Sequence, residues 1–117
     1  DNRIDLDTRP PKAAGGSGEG TNPEQLFSAG YAACFLGALR LVARNDKVSL
    51  DDATGVTAQV GFGKDSDGGF GINAHLIGYL PGLEQSQAEE LMDKAHQVCP
   101  YSKATRGNID VTLAAKV

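Results

Sequence analysis

The sequence predicts an α+β fold in which an antiparallel sheet packs on two long helices. Two stretches space their apolar residues at helical intervals, and four others alternate apolar and polar side chains as strands do. Helices and strands do not alternate regularly along the chain, which argues against a doubly wound sheet. The 117 residues suffice for one modest core, so we expect a single domain over residues 1–117.

The first elements are a short strand and a loop. Ile4 and Leu6 alternate with polar neighbours, which predicts a strand at Asn2–Asp7. The Gly-rich stretch Ala13–Gly20 follows. It lacks the Gly-Lys-Ser/Thr of a P-loop, and its glycines have the wrong spacing for a dinucleotide fingerprint. We interpret it as a connector without a phosphate-binding role.

A long helix begins next. Thr21 or Asn22 can cap it, and Pro23 suits the first helical position. Between Leu26 and Ala43 the only charged side chain is Arg40, so apolar or small residues line nearly every face. This composition predicts a buried helix, with Cys34 at its middle.

The remaining elements are a hairpin, a second helix and a last strand. Alternation predicts antiparallel strands around 56–62 and 70–79, joined by a turn-rich link at 63–69. A single apolar stripe predicts a helix over 86–99, with Cys99 on its buried face and Pro100 ending it. Perfect alternation over 109–117 predicts the closing strand.

Composition bounds the function. The formal charge is −4 with no run of Lys or Arg, so a nucleic-acid partner is not expected. No uninterrupted apolar stretch approaches the roughly 20 residues that span a bilayer, and no signal peptide is recognisable. We therefore expect no membrane partner and a cytoplasmic location. His96 and Cys99 with the distant His75 do not make a zinc set, so we expect no metal and no other cofactor.

The two cysteines, Cys34 and Cys99, leave two interpretations open. Each has apolar neighbours, and burial raises a thiol pKa and makes it inert unless a cation is near. Inert core thiols are therefore one reading. However, each cysteine lies on one of only two long helices. In a fold this small we expect the two helices to pack together, which would allow the thiols to meet. A pair that can bridge and reopen is a redox device, which is the other reading.

Three segments resemble a known family. They are TNPEQLF at 21–27, GYAACFLGAL at 30–39 and HQVCPYSKATRGNIDV at 96–111. Together they are similar to the organic hydroperoxide resistance (Ohr) branch of the OsmC/Ohr family, in the family's order and over nearly the whole chain. The NPEQLF and CPYS segments resemble Ohr more than the OsmC branch.

The resemblance implies a fold, an activity and roles for three residues. Cys34 would attack the hydroperoxide, Cys99 would resolve the sulfenic acid as a Cys34–Cys99 disulfide, and Glu24 would orient an arginine against the thiolate. The family forms an intertwined homodimer with its active sites at the interface. Its members reduce alkyl and fatty-acid hydroperoxides and are recycled by dithiols such as lipoylated proteins, without metal or flavin.

The same resemblance leaves the activating cation unassigned. The family's arginine precedes the position at which this chain begins, and the first strands of the family pattern are missing, so we expect an N-terminally incomplete domain. Arg3 and Arg9 are nearest in sequence, but we interpret them as surface charges. Glu24 precedes Cys34 by ten positions, about 15 Å along a helix. We therefore expect Glu24 to act on a partner subunit's site or through an arginine.

An apolar pocket would suit a fatty hydroperoxide. Candidate lining residues are Leu26, Phe27, Phe35 and Tyr101, all of which could equally be core. Two alternatives to the Ohr reading remain: an OsmC-type peroxidase with a different peroxide preference, and a carrier of a lipid-like ligand with inert thiols.

Overall fold

The computed structural model describes residues 1–117 and contains three α-helices and three strands. A single 3-10 turn at Lys12–Ala14 precedes them. In chain order the elements are α1 (Pro23–Asn45), β1 (Gly55–Lys64), β2 (Phe70–Tyr79), α2 (Gln85–Val98), α3 (Pro100–Thr105) and β3 (Val111–Lys116). The α+β class predicted from the sequence is confirmed.

The sheet has the order β1-β2-β3 and is mixed. β1 and β2 form the expected antiparallel hairpin, with Val60 opposite Ala74. β3 instead runs parallel to β2, with Leu76 opposite Leu113, so the expectation of a fully antiparallel sheet is wrong. Two helices lie between β2 and β3 in the chain, and this crossover returns the chain to the end of the sheet at which β2 began.

The N-terminal segment contains no strand, and the prediction for Asn2–Asp7 is wrong. Its only ladder contact is an isolated parallel bridge between Thr8 and Thr21. Ile4 is 78% exposed and Leu6 is 54% exposed. An alternating pattern stabilises a strand only where a neighbouring strand and an apolar surface receive it, and neither is present beside this segment.

α1 begins as the sequence predicts but is buried on one face only. The Asn22 side chain caps it by accepting a hydrogen bond from the Gln25 backbone N–H at 2.8 Å, and Pro23 is its first residue. Tyr31 and Phe35 lie on the buried face, whereas Leu41 is 44% exposed on the opposite face. The prediction that the helix is buried all round is therefore wrong.

The same apolar composition makes α1 long and apolar enough to cross a membrane, with a mean hydropathy of 1.6 over 18 residues. The sequence contains no uninterrupted apolar run of this length, but α1 reaches the required mean hydropathy because small and polar uncharged residues separate its apolar ones. In this structure α1 packs along β1 and α2, as a core helix does.

α2 and α3 meet at Cys99, which the sequence analysis placed at the C-terminal end of a helix over 86–99. Pro100 ends α2, as predicted, but it also begins α3, because proline suits the first position of a helix. α2 contributes the stripe of Ala88, Leu91, Met92 and Ala95 to a core shared with α1 and β2. Cys99 thus lies on a corner between two helices and is fully buried.

Candidate active site

The two cysteines lie together. The Sγ atom of Cys99 is 3.7 Å from the Sγ atom of Cys34, and both thiols are free. α1 presents Cys34 near its middle, and the α2–α3 corner presents Cys99. A disulfide bond is about 2.05 Å long, so a small approach of the two sulfur atoms would join them.

Cys34 is the more accessible thiol. It is half-buried, whereas Cys99 has no exposed surface. Burial raises the pKa of Cys34, a hydrogen bond to the backbone of Tyr101 lowers it, and the neighbouring Cys99 raises it again. No arginine or lysine is among the groups that shift this pKa. The thiol is therefore positioned to react, but within this chain it is not activated by a positive charge.

Three aromatic side chains of α1 and α3, the helices next to the two cysteines, pack together. The rings of Phe27 and Tyr31 meet edge to face at 5.7 Å, and Tyr101 lies 5.8 Å from Tyr31 and 6.3 Å from Phe27. Gly30 permits this packing, because a Cβ atom there would lie 3.2 Å from the Tyr101 hydroxyl oxygen. The cluster places aromatic surface on the two helices next to the thiols.

Four polar side chains link the helices that carry the cysteines, and the sequence analysis missed them as a group. Ser102 Oγ lies 2.7 Å from His96 Nδ1 and 2.8 Å from the Tyr31 hydroxyl. Tyr31 also lies 3.0 Å from Thr105 Oγ1. Three of them lie three positions from a cysteine in the sequence: His96, Ser102 and Tyr31. This spacing could have indicated that polar side chains accompany the thiol pair.

Glu24 does not join the thiols within one chain. It is half-buried in the first turn of α1, ten residues before Cys34 on the same uninterrupted helix. A cavity of about 270 Å³ includes Glu24, Arg9 and Phe62 in its lining. Arg9 makes its ion pair with Asp7, and Arg3 lies 3.9 Å from Asp1. Neither arginine is paired with Glu24.

The four residues predicted to line a substrate pocket occupy different environments. Leu26 is 39% exposed and Tyr101 is 40% exposed, whereas Phe35 is fully buried in the core. Phe27 lines an open groove of about 470 Å³ together with Phe62, Phe70, Ile72 and Ile109. The groove therefore includes one of the four predicted residues, and its other five apolar residues, which include Ala104, were not predicted.

The structure contains no group of three or more His, Cys, Asp and Glu side chains that could hold a metal ion. His96 directs Nδ1 to Ser102, and His75 directs Nδ1 to Thr112 at 2.6 Å. Both histidines thus make hydrogen bonds with hydroxyl groups.

The fold and the thiol pair define the class of protein. The family model for "OsmC-like protein" matches residues 16–114, and the chain belongs to this family.

Similar proteins define the branch of the family. The chain is 53% identical over 114 residues to the organic hydroperoxide resistance protein of Xanthomonas axonopodis pv. citri (strain 306), covering 97% of this chain and 80% of that protein. It is 49% identical over 117 residues to the organic hydroperoxide resistance protein OhrB of Bacillus subtilis (strain 168), covering 99% of this chain and 85% of that protein.

A solved structure of an organic hydroperoxide resistance protein from Legionella pneumophila superposes with a TM-score of 0.91 at 48% identity, covering 98% of this chain and 83% of that one. The resemblance to the Ohr branch is thereby confirmed. These relatives support a role in organic hydroperoxide resistance.

Proposed function

We propose that this chain is a thiol-dependent peroxidase that reduces organic hydroperoxides to alcohols. The observation that carries the proposal is the 3.7 Å separation of the Cys34 and Cys99 sulfur atoms. A protein that only carried a lipid-like ligand would have no need of two free thiols at this distance. Two relatives of the chain are organic hydroperoxide resistance proteins, which supports the choice of organic hydroperoxides as the substrate class.

The reaction balances with these two thiols and one external dithiol. The Cys34 thiolate attacks the distal oxygen of ROOH, the O–O bond breaks, and RO⁻ leaves and takes a proton to become ROH. Cys34 is now a sulfenic acid, and the Cys99 thiol condenses with it to give a disulfide and water. An external dithiol then reduces the disulfide by thiol–disulfide exchange and becomes oxidised itself.

The accessibilities of the thiols support the assignment of roles. Cys34 is half-buried and can meet a substrate, whereas fully buried Cys99 can meet only another group inside the protein. The adjoining aromatic cluster and the groove lined by Phe27 and Ile72 offer apolar surface to an alkyl chain. Of the predicted lining residues, Leu26, Phe27 and Tyr101 have exposed surface for this purpose, and Phe35 would act from behind them.

The thiolate needs a cation, and Glu24 fits an indirect role. Within one chain Glu24 lies about 15 Å along α1 from Cys34, too far for direct contact. We assign Glu24 the role of holding an arginine toward a thiol, in its own subunit or across the interface of a homodimer. The exposed face of α1, which includes Leu41, supports association with a second copy.

We extend the proposal to the reductant and the location. A dithiol such as a lipoylated protein would reopen the Cys34–Cys99 disulfide, because a dithiol can complete the exchange by closing its own ring. A cytoplasmic location suits a disulfide that forms only transiently.

Peroxide consumption tests the proposal. Reduced protein is incubated with cumene hydroperoxide and dihydrolipoamide beside Cys34→Ser and Cys99→Ser variants. We expect catalytic loss of peroxide with the wild type and none with Cys34→Ser. Cys99→Ser should accumulate the Cys34 sulfenic acid and turn over more slowly than the wild type, because it cannot form the disulfide that the dithiol reopens. A folded wild-type protein that leaves the hydroperoxide intact and both thiols reduced would instead support the ligand carrier.

Peroxide preference separates the Ohr activity from an OsmC-type activity. The same assay with hydrogen peroxide in place of cumene hydroperoxide compares the two substrates at equal concentration. Faster turnover of the organic substrate supports the proposal, because apolar surface such as that of Phe27 would be buried by an alkyl group and would gain nothing from hydrogen peroxide. Faster turnover of hydrogen peroxide would support an OsmC-type activity instead.

A further inference from the structure

A continuous set of hydrogen bonds links the three helices around the thiol pair. His96 lies on α2, Ser102 and Thr105 lie on α3, and Tyr31 lies on α1. Tyr31 and Ser102 have no exposed surface, and Thr105 is 6% exposed. We refer to these four residues as the hydroxyl clamp. Buried polar groups cost stability unless they are paired, so the clamp holds its members together as a unit.

The number of available protons determines which group donates and which accepts in each hydrogen bond of the clamp. The Thr105 hydroxyl donates to the Ser102 carbonyl oxygen at 3.2 Å, and a carbonyl oxygen only accepts. Thr105 must then accept from Tyr31, Tyr31 from Ser102, and Ser102 from His96, because each hydroxyl carries one proton. All four bonds exist together only if His96 is protonated at Nδ1.

The members of the clamp flank the cysteines. His96 and Ser102 lie three residues before and after Cys99, and Tyr31 lies three residues before Cys34. Residues three apart in a helix are neighbours on one face. A further bond fixes the same corner: the Arg106 guanidinium donates to the His96 carbonyl oxygen at 2.8 Å. The corner that carries Cys99 is thus tied to the turn of α1 that precedes Cys34.

We propose that Tyr31 and Ser102 are positioning residues for the thiol pair: their hydrogen bond holds the Cys99 corner against α1, so that the Cys99 thiol stays within reach of Cys34. The inference rests on the proposed function where it concerns resolution of the sulfenic acid. Phenylalanine at Tyr31, alanine at Ser102 and valine at Thr105 would fill nearly the same volume without making hydrogen bonds. The clamp therefore supplies a fixed alignment that apolar packing alone would not specify.

Tyr31→Phe removes the central hydroxyl with the least change of shape. Tyr79→Phe is the matched control, because Tyr79 is exposed at the end of β2 and its hydroxyl makes no hydrogen bond within the protein. Equilibration in glutathione buffers of graded redox potential gives the effective concentration of the two thiols for each other. Loss of one buried hydrogen bond predicts a decrease of about tenfold for Tyr31→Phe. We expect Tyr79→Phe to match the wild type.

Single-turnover oxidation gives a second readout. One equivalent of cumene hydroperoxide is added, and sulfenic acid trapped by dimedone is compared with disulfide by mass spectrometry. Once the sulfenic acid has formed, we expect Tyr31→Phe to close the disulfide about tenfold more slowly than the wild type, by the same loss of alignment. Dimedone should therefore trap a larger fraction of Cys34 as sulfenic acid in the variant than in the wild type.

A conservative pair of variants at His96 separates alignment from bulk stability. In His96→Asn the side-chain amide can donate from nearly the position of Nδ1, whereas His96→Leu has no donor. We expect His96→Asn to retain most of the wild-type effective concentration and His96→Leu to lose it as Tyr31→Phe does. If Tyr31→Phe does not fold, Ser102→Ala removes the same bond and is measured in its place.

The outcomes are distinguishable. A lower unfolding free energy in Tyr31→Phe or Ser102→Ala with an unchanged effective concentration would overturn the positioning role and leave a structural one. If wild-type protein does not react with hydroperoxide, the proposed function fails, yet the glutathione measurement still decides whether the clamp aligns the thiols.

Discussion

The sulfur atoms of Cys34 and Cys99 lie 3.7 Å apart although 65 positions separate the residues in the chain. Neither cysteine needs a rearrangement of its helix to reach the other, because α1 and the α2–α3 corner already pack together. The separation exceeds a disulfide bond by less than 2 Å, on the basis of an S–S length of about 2.05 Å.

A Cys34–Cys99 disulfide should stabilise the fold. Closing a loop of this length restricts the unfolded chain by about 4 kcal/mol, from which any strain in the folded protein is subtracted. We expect diamide-oxidised protein to unfold at higher urea concentration than reduced protein. A Cys99→Ser variant treated in the same way serves as control and should show no change. Oxidised protein that is less stable than reduced protein would mean that the bond strains the α2–α3 corner.

The thiol of Cys34 should remain protonated at neutral pH in this chain. Burial raises its pKa above the ordinary value, which is about 8.5. Thiolate absorbance near 240 nm in Cys99→Ser should rise only at alkaline pH, and alkylation by iodoacetamide should follow the same curve. A titration midpoint well below the ordinary value would reveal a cation that reaches Cys34.

The same shift predicts how Cys34 affects stability. The unfolded chain loses this proton at a lower pH than the folded protein, so the contribution of Cys34 is present below the unfolded pKa and lost as pH rises through the folded pKa. Urea unfolding of the wild type and of Cys34→Ser from pH 7 to pH 10 measures this contribution. We expect the unfolding free energy of the wild type to decrease relative to that of the variant as the pH rises.

His96 should reduce the stability of the folded protein at acidic pH, whereas Cys34 reduces it at alkaline pH. Burial, followed by the positive charge of Arg106, lowers its pKa, while Asp93 opposes them. The unfolded chain therefore binds a proton below about pH 6.5 while the folded protein does not, and stability falls as pH decreases through this window. We expect the unfolding free energy of the wild type relative to His96→Asn to decrease from pH 8 to pH 5. An increase would mean that Asp93 outweighs burial and Arg106.

The proton count in the hydroxyl clamp predicts the tautomer of His96. At pH 8 a long-range ¹H–¹⁵N NMR spectrum should show Nδ1 with the shift of a protonated ring nitrogen and Nε2 with that of an unprotonated one. The reverse pattern would mean that Ser102 donates to His96 and that Thr105 turns its proton to Tyr31. In that arrangement the Thr105 bond to the Ser102 carbonyl is lost.

Close packing of α2 on the sheet predicts a strong effect at one glycine. A Cβ atom at Gly78 would collide with the sulfur of Met92, and because this side chain is buried it would have to repack against its neighbours. Overpacking of this kind costs about 1–3 kcal/mol. Gly63→Ala is the matched control, because Gly63 is also in a strand and no atom lies within 4 Å of its Cβ position. Urea unfolding should show a large loss for Gly78→Ala and none for Gly63→Ala.

Several features of this protein were predictable from local pattern. The hairpin of β1 and β2, the cap and start of α1, the stripe of α2 and the α+β class follow from periodicity and from residues such as Asn22 and Pro23. The motifs around Cys34 and Cys99 identified the family. These features depend on residues within one or two turns of each other, so the sequence contains the information directly.

Other features required the tertiary structure. The direction of β3 depends on how α2 and α3 carry the chain across the sheet, and alternation alone is the same for parallel and antiparallel strands. The prediction of a strand at Asn2–Asp7 was wrong because no neighbouring strand receives it. Likewise, apolar composition made α1 look buried all round, whereas packing covers only one face.

The order of the residues specifies the chemical groups of this protein: two thiols, an apolar helix and the motifs of its family. Only the tertiary structure decided that the thiols meet and that Tyr31, His96, Ser102 and Thr105 form a directed clamp beside them. The physical reason is that contacts between residues far apart in the chain depend on the packing of whole helices, which no local pattern specifies.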